Sequence, residues 1–403
     1  MRRGDMADGQ LSNPTHPTPP RTEEERLDVL RLIRSRRVGA VTFHRLIAEH
    51  GSARAALAEL PLIARSAGVG DYESCPEGVA RAELAAGRRI GATPLFHGDP
   101  GYPDRLGATE DAPPVLWLQG DARLLMQPMV AIIGARNASS LGVRMARRLA
   151  RDLGAAGFCV VSGLARGIDA EAHQAALETG TVAVQAGGVD VIYPQENAVL
   201  AADIARQGLR ISEHMPGMQP QTRHFPQRNR IVAGLSRAVL VVEAAARSGS
   251  LITARMALDL GREVLAVPGH PFDARSTGCN HLIRDSATLL RDAGDVLEAL
   301  GLERDTLAQA PQPPDPARPA VRAVSGRASP HAMPPGNPPR NTVPGDTVRL
   351  HGMILDRLGP SPLAEDQLMR DLSLSSAALV PELLTLELEG RILRQPGGLL
   401  SRR

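Results

Sequence analysis

The stretch HFPQRNRIVAGLSR, residues 224–237, sets Arg228, Arg230 and Arg237 among small and apolar residues, and the run from His214 to Val242 contains no Asp or Glu. A guanidinium presents a planar fork of donors that matches phosphate oxygens, so an arginine run without acids reads as a phosphate-binding segment. Arg223 and Asn229 extend the same polar face, and Phe225 stands between them in a chain with nine aromatic residues. Buried, Phe225 is an ordinary core side chain; exposed, it stacks on an unpaired base.

Three other segments offer anion sites. GAR (Gly134, Ala135, Arg136), SGLARGID (Ser162 to Asp169) and EAAARSGSLIT (Glu243 to Thr253) each place Gly or Ser where a strand passes into a helix. Backbone amides left open at a helix start, together with the helix dipole, favour an anion. Neither GARNASSLG nor SGLARGID fits the G-x-G-x-x-G pattern, which argues against a dinucleotide cofactor. Ser162, Asp169 and His173 permit a hydrolytic triad on paper. GLARG is not a nucleophile elbow, however, and the preferred reading makes Asp169 a helix N-cap and His173 a packing residue.

Composition narrows the chemistry. All 46 basic residues are arginine, against 44 acidic ones, for a net charge of +2. The absence of lysine removes Walker A loops, Schiff-base enzymes and lysine bases, and the balanced charge makes any polyanion site local. Cys75, Cys159 and Cys279 form no CxxC pair, so no disulfide framework, zinc site or other metal is expected. The N-terminus lacks a signal-type apolar region and no apolar run reaches 18 residues, which suggests a cytoplasmic protein without a membrane span.

The elements that must position these loops follow from periodicity. MVAIIGAR, FCVVSG, TVAVQAGG, LRISEH, AVLVVEAA and EVLAVPG are β-rich runs separated by helix-length segments, the pattern of an α/β doubly wound parallel sheet whose ligands bind at the strands' carboxyl ends. The expected organisation is a disordered tail over 1–22, a small N-terminal helical domain over 23–90, the sheet domain over 91–303, a Pro-rich linker over 304–346 and a winged helix with a two-stranded wing over 347–403. Within the first domain, RVGAVTFHRLI and AGVGDYESC read as helical turns whose glycines resemble those of helix-hairpin-helix motifs.

VAIIGARNASSLG, VVSGLARGIDAEAH, VDVIYPQENAVLA, FPQRNRIVAGLSRAVLVVEAAARSGSLITARMAL, GREVLAVPG and GCNHLIRD, in this order, resemble the DNA-processing protein A family (DprA, also called Smf) over roughly residues 95–300. The resemblance implies an extended Rossmann-like domain that binds single-stranded DNA, dimerises, and delivers the strand to the RecA recombinase in DNA uptake and recombination. No catalytic activity or cofactor is implied. The implied DNA site comprises Gly134, Arg136, Ser162, Gly163, Arg166, Gly167, Arg228, Asn229, Arg230, Ser248, Gly249 and Ser250, with Gly278 and Asn280 of GCN added. Two segments depart from the family pattern: AVQAGGVD replaces AVLGCGLD, and LIRDSATLL has Asp-Ser where Glu-Gly is commoner. If Arg136, Arg166, Arg228 and Arg230 each neutralise a phosphate, the log–log salt slope on single strands is about −3.

Two other functions compete. A Rossmann-type nucleotide phosphoribohydrolase needs a catalytic acid after a glycine loop, and EAAARSGSLIT has none there. A duplex-reading regulator needs a basic recognition helix, whereas SSAALVPELLTLELEG carries Glu382, Glu387 and Glu389 and no basic residue.

Overall fold

Apolar strands that alternate with amphipathic helices bury both faces of a sheet, and the computed structural model has that architecture. It describes residues 19–303, 344–358, 362–395 and 399–402; the expected tail and linker lie for the most part outside them. Nine strands form the main sheet: β1 (Thr93–Phe96), β2 (Val115–Gly120), β3 (Met129–Ile133), β4 (Cys159–Ser162), β5 (Thr181–Val184), β6 (Leu209–Ser212), β7 (Ala238–Val241), β8 (Glu263–Ala266) and β9 (Thr288–Leu289). Their order is β1-β2-β6-β5-β4-β3-β7-β8-β9. The pairs from β6 through β9 are parallel, while β2 runs antiparallel to both β6 and β1.

The six expected runs are β3 to β8, and three strands are additional. β1 and β2 were not legible because VLWLQG follows a proline-rich turn and is followed only by a short 3₁₀ helix (Ala122–Met126) instead of a crossover helix, and β9 is two exposed residues. Chain order reverses at β3, which has β4 on one side and β7 on the other. Loops leaving β3 and β7 therefore diverge and open a crevice at the strands' carboxyl ends. Alternation along β3 serves both faces: Ala131 and Ile133 join the core under α9 (His224–Leu235) and α10 (Gly249–Asp259), whereas Val130 and Ile132 join that under α6 (Ser140–Ala155) and α7 (Ile168–Ala176).

Of the N-terminal helices, α1 (Glu23–Arg34), α2 (Ala40–His50) and α3 (Ala53–Ser66) enclose a core of Leu32, Phe43, Leu46, Ala56, Leu57 and Leu60, while Ala80 of α4 (Glu77–Arg89) packs with Leu27, Leu30, Phe96 and Val115. Thr22 and Glu25 close a capping box at the start of α1. The joint to the sheet is Trp117 of β2. Its ring lies against Gly87, where any Cβ would overlap it, and its Nε1 donates to Glu83 Oε1 at 2.9 Å. Arg34 holds the same buried carboxylate at 2.8 Å.

The sheet domain also holds α5 (Asp104–Gly107), α8 (Ala198–Gln207), α11 (Thr277–Arg284) and α12 (Ala293–Ala299); at the other end, α13 (Pro344–Arg357), α14 (Glu365–Leu372) and α15 (Ser376–Leu388) pack with a three-stranded sheet of β10 (Leu363–Ala364), β11 (Ile392–Gln395) and β12 (Leu399–Arg402). This winged helix has one strand more than expected, because Leu363–Ala364 pairs with β12 instead of opening a helix. Ile354, Leu358, Leu368, Leu379, Leu383 and Leu400 make a separate core. Polar contacts to the main domain run from Arg275 to the carbonyls of Asp356 and Leu358, and from Arg357 to that of Ala138.

Because the winged helix has its own core, deleting residues 304–403 should leave a folded protein whose far-UV circular dichroism and cooperative thermal transition survive, with Tm changed by no more than about 4 °C. Loss of the cooperative transition on this deletion would show that the sheet domain depends on its C-terminal neighbour.

Candidate nucleic-acid interface

The crevice at the β3/β7 switch has a volume of about 590 Å³ and is bounded by the loops after β3, β4 and β7 and by the start of α9. Its floor is built from two buried residues of opposite charge, Asp169 and Arg228, each hydrogen-bonded to the loops. Asp169, on the first turn of α7, accepts from the amides of Gly163 at 3.2 Å and Ala165 at 3.4 Å, which folds SGLARG back over its own helix. The helix N-cap is Gly167, so Asp169 braces the loop from inside the helix and is not the cap that its position suggested. Burial pushes the Asp169 carboxyl up, and the charge of Arg228 with the two amides pulls it back.

Arg228 is 6% exposed. Its guanidinium donates to the carbonyl of Gly163, to that of Val184 at 2.8 Å and to Asn229 Oδ1 at 3.1 Å. A Cβ at position 163 would overlap the guanidinium, so glycine there makes room for the arginine. The charge of Arg228 is thus committed to Asp169 and to two strand-end carbonyls, and the expected phosphate role does not fit that placement. Arg230 is likewise engaged, in an ion pair with Glu213 and a second with Asp111 at 3.5 Å. The acid-free run from 214 to 242 is compensated in space by carboxylates outside it.

A second internal anion fills the first helix start. Glu243, just beyond β7, accepts from Ser139 N at 2.9 Å and from the Ser139 hydroxyl, and Ser139 caps α6 by accepting from Gly142 N at 3.0 Å. Burial pushes its carboxyl up, opposed by the Ser139 bonds. Any Cβ on Gly142 would press into this carboxylate. Of the three segments proposed as anion sites, two therefore already hold carboxylates of the protein, Glu243 at the start of α6 and Asp169 on the loop amides before α7. At α10, Ser248 accepts from Ser250 N at 3.4 Å and no carboxylate intervenes; Gly249 is exposed there beside Arg247.

The remaining expected residues divide in the same way. Ser162 is fully buried and its hydroxyl donates to Ile132 O at 2.7 Å. Thr181 Oγ1 donates to Val160 O at 2.8 Å, so the 2.7 Å contact between His173 Nδ1 and Thr181 Oγ1 needs the proton on Nδ1. Burial then keeps His173 neutral, its pKa pushed down to about 3. With His173 Nδ1 turned to Thr181 and the Ser162 hydroxyl to a strand carbonyl, the Ser–His–Asp relay of a hydrolytic triad is not assembled. Gly134 packs beneath Ile168, and Gly167, at φ 74°, lies against the carbonyl of Ala135. Gly278 N donates to Ala244 O at 2.7 Å, and Asn280 bridges both the amide and the carbonyl of Gly269 at 3.1 and 3.0 Å, so these two hold loops together.

Arg136, Arg166 and Arg223 are exposed, Arg136 lining the crevice, Arg166 on the loop after β4 and Arg223 at the start of α9. Arg136 lies over the Phe225 ring at 5.5 Å, and Arg166 faces Glu196 at 3.7 Å with both side chains largely in solvent. Phe225 is half-buried at the crevice wall, its ring 5.6 Å from that of Tyr193. The sequence reading missed Arg247, Arg275, Tyr193 and the carboxylates beneath the loops. Arg247 adjoins the Ser248–Ser250 segment and was the most accessible of these; Arg275 lies 27 residues beyond Ser248 and reaches the crevice only through the fold. Among the described residues, no group of three or more His, Cys, Asp or Glu forms a metal-binding cluster, and no helix is long and apolar enough to cross a membrane.

Arg228→Ala should cost about 3–5 kcal/mol in urea unfolding, because Asp169 is left buried without its countercharge. Arg247→Ala, at the rim, should stay within about 0.5 kcal/mol of the parent. Equal stability of the two variants would contradict the buried role given to Arg228.

A family model described as DNA recombination-mediator protein A matches residues 93–301. Models of a DprA-like N-terminal HHH domain and of a DprA winged helix domain match residues 23–86 and 338–398. DNA processing protein DprA of Streptococcus pneumoniae is 46% identical over 198 residues, covering 49% of this chain and 70% of that one. Protein Smf of Escherichia coli is 38% identical over 300 residues, 74% of each chain. The X-ray structure of DNA processing protein A from S. pneumoniae superposes with a TM-score of 0.52 at 41% identity, covering 55% of this chain and 77% of that one. With its sheet domain matched across half the chain and both flanking domains matched as well, the chain belongs to the DNA-processing protein A (DprA/Smf) family.

Proposed function

We propose that the protein binds single-stranded DNA along the carboxyl edge of the sheet, shields it, and passes it as a dimer to the RecA recombinase. The observation that carries the DNA part is the division of charge at the crevice. Arginines beneath the loops are consumed by internal acids and carbonyls, whereas Arg136, Arg166, Arg223 and Arg247 are exposed, with Arg136 over the ring of the half-buried Phe225. Exposed cations with an aromatic ring beside one of them suit a polymer with phosphates outside and bases turned inward. The helix starts of α6 and α7, where a mononucleotide's phosphates would sit in a Rossmann domain, are filled by Glu243 and Asp169. That occupancy also disfavours the phosphoribohydrolase alternative, because Glu243, the acid next to the glycine loop, is tied to Ser139 beneath a helix. Dimerisation and delivery to RecA rest on the family resemblance.

The test is binding of an oligothymidine and of a duplex of equal length by fluorescence anisotropy across salt concentrations. The rim arginines predict preference for the single strand and a log–log slope of about −3, and Arg247→Ala should reduce that slope by about 0.7. Phe225→Ala should cost about 1–3 kcal/mol of affinity with the slope retained, since no counterion release is lost. Tighter binding to duplex, or a slope near zero, would overturn the reading. Sedimentation of the protein with and without RecA on a DNA-bound complex tests the dimer and the hand-over.

A further inference from the structure

The loop from Val191 to Asn197 lies outside the arginine-rich segments, yet it reaches the crevice rim. Asn197 Nδ2 donates to Leu164 O at 2.9 Å and to Ala165 O at 3.2 Å, which ties this loop to SGLARG. Glu196 of the same loop faces Arg166. Tyr193 leaves the loop with 52% of its surface exposed, and its ring meets that of Phe225 at 5.6 Å and 58°. On Phe225 itself, the Arg136 guanidinium lies over the ring at 5.5 Å. Phe225 is thus contacted by both neighbours, and the more open π surface of this three-member cluster belongs to Tyr193. A large aromatic held half in water by a pinned loop keeps apolar surface hydrated at a cost, and a nucleobase of matching size could cover its open face.

We propose that Tyr193 is a base-stacking residue of the single-strand site, taking the nucleobase beside the phosphate neutralised by Arg136, with Phe225 as the wall that orients its ring. The proposal rests on the single-strand reading above. It extends the track from the crevice toward the carboxyl end of β5, past the Arg166–Glu196 pair, which an incoming phosphate would open.

The experiment measures binding of an oligothymidine and of the same strand carrying abasic sites to the wild type, Tyr193→Ala and Tyr193→Phe. Tyr193→Ala should bind the intact strand roughly 5- to 150-fold more weakly with an unchanged salt slope, and Tyr193→Phe should bind like the wild type. On the abasic strand the difference between wild type and Tyr193→Ala should vanish. A Tyr193→Ala protein that binds the intact strand as the wild type does overturns the proposal and leaves the single-strand reading standing; a wild type that binds no single strand removes both. As a measurement independent of any variant's folding, irradiating the wild type with a 5-bromouracil strand should cross-link Tyr193, and cross-links confined to other residues count against the assignment.

Discussion

The guanidinium of Arg228 lies beneath the carboxyl ends of β4 and β5, donating to the carbonyls of Gly163 and Val184 and balancing the buried Asp169. Removing a charge pair from water is costly unless each group's hydrogen bonds are met, and here they are met by the loops that form the crevice. Asp169 braces the amides of Gly163 and Ala165, Arg228 the carbonyls, and Gly163 is small enough to let the guanidinium in. The crevice floor is therefore rigid and close to neutral before any ligand arrives.

A neutral floor moves the ligand to the rim. Glu243 does for α6 what Asp169 does for α7, so the two helix starts that a nucleotide-binding Rossmann domain keeps for phosphate are closed by side chains. The charge that remains exposed is spread over Arg136, Arg166, Arg223 and Arg247, on four different loops or helix starts. A spread of this kind has little use for a compact phosphate group and suits a chain of phosphates spaced along a backbone. On the proposed function, the same fold is shifted from holding a cofactor toward holding a strand.

The flanking domains attach by contrasting means. On the N-terminal side, one indole is shared: Trp117 fills the space over Gly87 and bonds to Glu83, which Arg34 also holds. Buried aromatic packing and a fully bonded carboxylate make that joint part of the main core's energetics. On the C-terminal side, the contacts are arginines donating to helix-end and loop carbonyls, with the winged helix keeping an apolar core of its own. Hydrogen bonds of this kind exchange readily with water, so the two ends of the chain differ in how firmly they are tied to the sheet.

Local pattern was enough to determine six of the nine strands, the helices between them, the winged helix and the family, because period-two and period-3.6 apolar spacing and contiguous motifs are properties of neighbouring residues. It also singled out Arg136 and Phe225, which the fold brings into contact at the crevice, and Arg166 and Arg223, which it leaves exposed. Whether an arginine's charge is available was decided only by tertiary structure. Arg228 and Arg230 sit in a run without acids, and yet Asp169 and Asp111, from distant parts of the chain, and Glu213, just before the run, offset their charge. In the same way Gly134, Gly163 and Gly167 look like phosphate-loop glycines, and the fold uses them for close packing against Ile168, Arg228 and Ala135. Pairing in space depends on which loops the sheet order brings together at the β3 switch, and no local window of sequence contains that information.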